Sequence, residues 1–274
     1  MTEAPLLGAR RLRELCERHG IRPQRSLGQN FVIDPNTIRK VVDRADVRAS
    51  DVVLEIGAGA GSLTLALAAT ARRVIAVEID RRLVPLLKEL LAGVDNVEFR
   101  NEDASEVVAA DTGANKLVAN LPYNMAVTLV LAVLQSAPRI TSLTVMTQRE
   151  AGERLAAMPG SKVYGGSSVL AQFFADVAVT GRVSRKAFWP IPNVDSVIVS
   201  CRRHEELPDV DVNSFFGVVH AAFGQRRKML RNSVAAKTGD ARSATELLER
   251  AGIDPATRAE DVGVEGYVSL ARLL

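Results

Sequence analysis

Three groups of residues have the types and spacing to handle a nucleoside. The first is EIGAGAG (55–61), with glycines at 57, 59 and 61. Glycine permits backbone conformations and close ligand approach that a side chain would block. The spacing is GxGxG, not the GxGxxG of the usual dinucleotide fingerprint, and taken alone it serves equally as a tight turn. The second is Glu78, which ends the next apolar run, RRVIAVEID (72–80). A carboxylate there can accept hydrogen bonds from both hydroxyls of a ribose. Gly57 and Glu78 together indicate a nucleoside-bearing cofactor, with NAD and S-adenosylmethionine both open. The third is Asp103 in NEDAS (101–105), which either caps a helix or accepts from an exocyclic adenine amino group. Taken with Glu55, Glu78 and the glycine loop, it makes S-adenosylmethionine the better cofactor.

A fourth stretch, KLVANLPYN (116–124), stops an apolar run on an amide, a proline and an aromatic. Asn and Pro commonly end strands in turns, but the combination also suits an adenine. The amino nitrogen of adenine is a poor nucleophile because its lone pair is delocalised into the ring. The Asn120 side-chain oxygen and a nearby backbone carbonyl, that of Leu121, can accept from the amino hydrogens and localise the lone pair. Pro122 can hold the turn so that this carbonyl points inward, and Tyr123 can stack on a base that has left its helix. The nitrogen loses its proton only after it has become cationic, so no strong general base is needed. Positioning and electrostatics would supply most of the rate.

These residues need elements to place them, and the pattern from about residue 51 provides them. Short apolar runs (DVVLEIG, RRVIAVEID, NVEFRNEDA, KLVANLPY, SLTVMTQ) alternate with helix-like stretches (SLTLALAATA, RRLVPLLKELLAG, TLVLAVLQSA). That rhythm predicts an α/β fold, a parallel sheet with helices on both faces, and ligands at the carboxyl ends of its strands. Those ends carry Gly57, Glu78, Asp103 and Asn120 in order. After Gln148, VLAQFFADVAVTGRV (169–183) and VDSVIVSCRR (194–203) read as two further strands joined by a loop around KAFWPIPN. EELPDVDV (205–212) reads as a linker, followed by helices, so a domain boundary is expected near 207. The chain divides into 1–207 and 208–274.

Composition excludes several classes. Of 274 residues, 47% are hydrophobic and 24% charged, as in ordinary globular proteins. Two cysteines, Cys16 and Cys201, with no CxxC and no partnering histidines, argue against a disulfide framework or a structural zinc site and for a reducing, cytoplasmic setting. No secretory signal or membrane span is expected. Charge is uneven: residues 1–30 hold six arginines against Glu3, Glu14 and Glu17, and QRRKMLRN (225–232) holds Arg226, Arg227, Lys228 and Arg231 with no acid. Such clusters are either solvated helix faces or nucleic-acid contacts. His19, His204 and His220 are read as incidental.

With these pieces in place the chain resembles the ribosomal RNA adenine N6-dimethyltransferases, the KsgA family, which are related to the Erm resistance methyltransferases. The resemblance rests on SLGQNFVID (26–34), EIGAGAGSLT (55–64), VEID (77–80), EDA (102–104), NLPYN (120–124), TQREAGERL (147–155), FWPIPNVDSVIV (188–199) and FGQRRKMLRN (223–232), in the family's order. Ala58 stands where the family commonly has proline, and Ala119 where glycine often precedes NLPY. The resemblance implies a Rossmann-like methyltransferase domain with a seven-stranded, mostly parallel sheet, and a small all-α C-terminal domain that binds RNA or the ribosome. It implies cofactor contacts at Asn30, Val32 and Gly57, the ribose at Glu78, the adenine at Asp103, and Asn120 between cofactor and target base. Phe188 would be a second stacking aromatic opposite Tyr123. The basic clusters would touch phosphates of a folded RNA.

The implied reaction is dimethylation of two adjacent adenosines in the 3′-terminal hairpin of 16S rRNA, within the small ribosomal subunit or its precursor, by a cytoplasmic monomer with a role in subunit biogenesis. The nearest rival is an Erm-like enzyme acting on large-subunit RNA; RRKMLRN and FWPIPNVDSVIV favour the small subunit. A DNA adenine methyltransferase fits less well, because NLPY replaces the NPPY or DPPY usual there. A non-enzymatic assembly factor and an NAD-dependent oxidoreductase complete the field.

Overall fold

The computed structural model describes residues 6–24, 28–122, 125–224 and 229–274. They form two compact units, one of residues 1–152 and 177–203 and the other of residues 153–176 and 204–274.

The first unit is built on a seven-stranded sheet. Its strands are β2 (Val52–Ile56), β3 (Arg73–Val77), β4 (Val97–Arg100), β5 (Lys116–Asn120), β6 (Ser142–Gln148), β7 (Ala175–Val183) and β9 (Ser196–Arg203), in the spatial order β4-β3-β2-β5-β6-β9-β7. The five on the β4-to-β6 side pair parallel, and β9 runs antiparallel to β6. The central strands are mostly apolar and almost wholly buried, as strands covered by helices on both sides must be, with Glu55 on β2 a buried exception. β2, β3 and β4 follow one another outward, and the chain then returns to place β5 on the other flank of β2. The strand order therefore reverses between β2 and β5. At such a point the loops leaving neighbouring strands diverge and open a crevice at the carboxyl ends.

Two helices fix the approach to that crevice. α1 (Ala9–Arg18) buries Leu12, Leu15 and Cys16 along one stripe. α2 (Pro35–Ala45) starts where Asp34 accepts hydrogen bonds from the Asn36 and Thr37 N–H groups and Pro35 takes the first turn. Between them lies β1 (Phe31–Val32), paired antiparallel with β8 (Phe188–Trp189), with Phe31 opposite Trp189 and Val32 opposite Phe188. α3 (Ser62–Ala68), α4 (Val84–Leu90), α5 (Ala104–Ala109) and α6 (Ala126–Ser136) connect the parallel strands. The end of α6 is held by Arg203, whose guanidinium donates to the carbonyls of Val133, Leu134, Ala137 and Ile140.

α7 (Arg149–Leu155) leaves the first unit. In the second, α8 (Gly166–Phe174), α9 (Val212–Gly224), α10 (Leu230–Thr238), α11 (Ala241–Arg250) and α12 (Val264–Leu273) pack around Phe173 and Phe215, stacked at 4.2 Å, and buried Tyr267, whose hydroxyl donates to the Ala259 carbonyl. Two expectations change here. VLAQFF (169–174) is the end of α8, and the strand begins only at Ala175. A short apolar run fits a buried helix as well as a strand, and here Gln172 turns back to donate to the Leu155 and Ala157 carbonyls. Residues 153–176, expected with the first domain, group instead with the C-terminal helices, so the chain passes between the units three times, near 152, 176 and 203, the last of these close to the boundary expected near 207.

Candidate active site

A cavity of about 220 Å³ lies at the β2/β5 switch point, reached by the ends of β2, β3 and β5 and by the segment 28–31. Asn30, Gly57, Glu78, Asp103, Asn120, Leu121 and Pro122 all line it. Seven of the expected site residues, scattered over more than ninety positions, thus meet in one place.

The glycine loop forms the wall after β2. The N–H groups of Gly57 and Ala58 both donate to the Val77 carbonyl, at 2.8 and 3.0 Å, which turns the loop sharply off the strand. Gly57 and Gly59 have φ of +79° and +57°, a region side chains disfavour. A Cβ on Gly57 would stand 3.7 Å from the Asn120 carbonyl oxygen and one on Gly59 3.3 Å from the Phe31 ring, so the loop lies directly against both opposite elements.

Glu78 is buried and its two carboxylate oxygens are separately held. Oε2 accepts from the Gly59 N–H at 2.8 Å and Oε1 from the Asp80 N–H at 2.9 Å, while its own carbonyl accepts from the Asn101 amide at 2.7 Å. A carboxylate has about four acceptor positions, so each oxygen can still receive a ligand hydroxyl. Burial raises its pKa above the ordinary carboxylate range against the pull of these two N–H donors. Asp103 caps a helix, the first of its two readings. Its Oδ1 caps α5 by accepting from the Ser105 N–H and hydroxyl, at 2.8 and 2.6 Å, and these bonds lower its pKa. Oδ2 takes no part in the cap.

Glu55 differs. It is wholly buried beneath the glycine loop, in a small chamber of about 30 Å³ that also holds Ser62. Among the described residues, Glu55 Oε2 and Ser62 Oγ have no hydrogen-bond partner. Burial pushes the Glu55 carboxyl up to about 8; the Thr64 hydroxyl opposes this and the charge of Glu78 adds to it. A space of that size accommodates a water with polar partners on its walls.

Asn120 ends β5. Its Nδ2 donates to the Asn30 carbonyl at 3.1 Å, so the amide turns its oxygen edge away from Asn30. The Leu121 N–H donates to the Met146 carbonyl on β6, and the Pro122 carbonyl accepts from Met125 N–H at the start of α6. Tyr123 lies outside the described residues, as do Arg226, Arg227 and Lys228.

Other expected residues are not brought to the cavity. Val32 and Phe188 face each other across the β1–β8 pair and are buried in the apolar core, Phe188 completely. The expected stacking ring is here a core ring. Arg231 is half-buried in the first turn of α10, and its buried Nε has no hydrogen-bond partner among the described residues. His19 is not incidental to the fold, because it shares the Glu89 carboxylate with Arg18, each at 2.7 Å.

Sequence reasoning named Gln29 only as part of the segment with Asn30 and did not single out Asp80. Gln29 Nε2 donates to Asp80 Oδ2 at 2.7 Å, and its Oε1 accepts from the Gln24 N–H at 2.9 Å. Asp80 also accepts from the Arg82 guanidinium, which with the Gln29 bond keeps its pKa low. This ties the segment carrying Asn30 to the end of β3. The signal lay in the recurrence of polar residues inside SLGQNF and VEID, which spacing alone does not pair.

Comparison with known proteins adds the family. The model of the family described as ribosomal RNA adenine dimethylase matches residues 21–274. The ribosomal RNA small subunit methyltransferase A of Leifsonia xyli subsp. xyli is 45% identical over 278 residues, covering 99% of each chain. Among solved structures, a dimethyladenosine transferase from Plasmodium falciparum superposes with a TM-score of 0.77 at 24% identity, over 88% of this chain and 95% of that one. The 23S rRNA methyltransferase ErmE superposes with a TM-score of 0.70 at 28% identity, over 89% and 99%. The folds agree with both neighbours, and the match over nearly the full length decides the kinship: the chain belongs to the ribosomal RNA adenine dimethylase family.

Proposed function

We propose that this chain is an S-adenosylmethionine-dependent methyltransferase that dimethylates the N6 amino groups of two adjacent adenosines in the 3′-terminal hairpin of 16S rRNA, in the small ribosomal subunit or its precursor, and thereby takes part in subunit biogenesis. The name of its Leifsonia relative supports the small subunit. The observation that carries the reading is the Asn120 amide, whose nitrogen is fixed on the Asn30 carbonyl so that its oxygen can accept from an amino group.

The cavity suits the methyl donor. Glu78 offers two held oxygens to a ribose, Asp103 Oδ2 can accept from an adenine amino group, and Ile79, Leu121 and Leu129 supply apolar walls. Gly57 and Asn30 would flank the methionine part. S-adenosylmethionine would supply an activated methyl group. On the acceptor side, the Asn120 oxygen and the Leu121 carbonyl would take the amino hydrogens of the target, and Tyr123 would stack on its ring. Val32 and Phe188 would act at one remove, by pinning the strand that carries Asn30 and Phe31. The C-terminal helical unit, with Arg226, Arg227, Lys228 and Arg231, would hold RNA phosphates, and neutralising the first three should weaken subunit binding and flatten its salt dependence. The protein would work as a cytoplasmic monomer; among the described residues no helix is long and apolar enough to cross a membrane.

The test offers labelled S-adenosylmethionine with undermethylated small subunits, large-subunit RNA or duplex DNA. Dimethyladenosine in small-subunit RNA alone is the expected result. Label in large-subunit RNA would move the protein beside ErmE, and no label with subunit binding intact would make it an assembly factor.

A further inference from the structure

Arg13 lies on the exposed side of α1, and its guanidinium carbon sits 5.8 Å from the centre of the Trp189 ring. Its neighbours have carboxylates: Arg10 faces Glu14 at 3.7 Å and Arg18 binds Glu89 at 2.7 Å. Among the described residues, no acid or carbonyl engages Arg13. α1 does not need it for attachment, since Leu12, Leu15 and Cys16 are buried and Arg18 and His19 both grip Glu89. A guanidinium laid on an indole keeps its planar edge, with all its N–H donors, directed outward. The ring beneath restricts its motion, so less freedom is lost when those donors bind.

The position of the pair matters more than its charge. Trp189 is half-buried and stands opposite Phe31 in the β1–β8 pair, with ring centres 6.3 Å apart. Phe31 in turn lines the cavity and packs against Gly59 of the glycine loop. Two ring contacts therefore connect Arg13 to the cavity wall, and the residue before Phe31 supplies the carbonyl that orients Asn120. A base drawn out of its helix leaves flanking phosphates that must be held near the cavity, and a planar guanidinium edge matches a phosphate in a bidentate manner.

We propose that Arg13, braced on Trp189, binds a backbone phosphate of the RNA strand next to the target adenosine. This rests on the RNA-methylating reading above and adds to it a positioning residue outside both the cavity and the C-terminal basic cluster. Trp189 is the sole tryptophan of the chain, so its emission reports on this spot alone.

The experiment titrates the full-length protein with a fluorescein-labelled RNA hairpin of the small-subunit 3′ end, following label anisotropy for binding and, with unlabelled RNA, Trp189 emission for the site. Wild type should bind with a change in emission. Arg13→Ala should bind about tenfold more weakly at 0.1 M salt, with a log–log salt slope shallower by about one, as for loss of one phosphate contact. Its affinity for S-adenosylhomocysteine should be unchanged. Arg13→Lys should keep the slope and lose part of the affinity, because it retains the charge without the braced fork. Unchanged affinity and slope in Arg13→Ala, or wild-type affinity in Arg13→Lys, would overturn the proposal. RNA binding seen by anisotropy with no change in Trp189 emission would overturn it and leave the RNA reading intact. No anisotropy change in wild type would overturn both.

Discussion

The two walls of the cavity are built to different standards of rigidity. On the wall after β2, β3 and β4, nearly every polar group is held by the backbone: Gly57 and Ala58 on the Val77 carbonyl, Glu78 between Gly59 and Asp80, and Asp103 in its own helix cap. On the opposite wall, among the described residues, the polar side chains are held by single contacts with one another's segments. Asn120 is oriented by one contact with the Asn30 carbonyl, Asn30 by one with the Gly28 carbonyl, and the whole segment is tied across by Gln29 to Asp80. The first wall is thus organised before any ligand arrives. The second depends on a segment held, among the described residues, by side-chain bonds through Gln29 and Asn120 and by the short β1–β8 pair. A site that must admit an amino group, then its monomethylated form and then a second adenosine benefits from this division, with a fixed cofactor half and an adjustable acceptor half.

The strongest way to break the comparison is at the acceptor. Asn120→Ala removes the oxygen that would localise the amino lone pair, and methyl transfer to small-subunit RNA should fall by about 10²- to 10³-fold, the scale for losing one preorganised polar contact. Glu78→Ala should come next. Loss of two charge-assisted hydrogen bonds should weaken S-adenosylhomocysteine binding by about 10- to 100-fold in titration calorimetry, with RNA binding unchanged.

Glu55 sharpens the contrast within the rigid wall, because it is equally buried but has an oxygen with no partner among the described residues. Its carboxyl titrates near 8 in the folded protein against an ordinary 4.5. The folded state therefore holds an extra proton in that window. Its contribution to stability is fully present below about 4.5 and is lost as pH rises through about 8, at about 1.4 kcal/mol per pH unit. Glu55→Gln, a neutral isostere, should flatten that part of the curve in urea unfolding between pH 5 and about 8. The same slope in both proteins would mean that Glu55 is ionised in the fold. The smallest effect is expected from Gln29→Ala, which loosens the segment by removing its side-chain bonds to Asp80 and to the Gln24 N–H. A roughly threefold loss of cofactor affinity is expected, from about 0.5–1 kcal/mol.

The same contrast separates what was legible in the sequence from what was not. Gly57, Glu78, Asp103 and Asn120 were readable because each follows an apolar run, and parallel strands bring their carboxyl ends together whatever the helices between them do. Asp103 could be read two ways and uses one oxygen for the cap. The burial of Val32 and Phe188 was not legible because their direction depends on the two-residue β1–β8 pairing, formed between segments more than 150 positions apart, and no local pattern encodes it. The Gln29–Asp80 bond is equally non-local. VLAQFF looked like a strand because it is apolar throughout, and only the packing of α8 with the C-terminal helices decides otherwise.

The division between the walls is tested most directly by measuring two quantities on the same two variants: cofactor dissociation constant, and single-turnover methyl transfer to undermethylated small subunits at saturating cofactor. The expected result is a crossed pattern. Glu78→Ala should lose affinity and keep most of its single-turnover rate, and Asn120→Ala should keep its affinity within a few-fold and lose the rate. Parallel loss of both quantities in both variants would contradict the account, because it would mean that the cavity is one cooperative structure with no separate cofactor and acceptor halves.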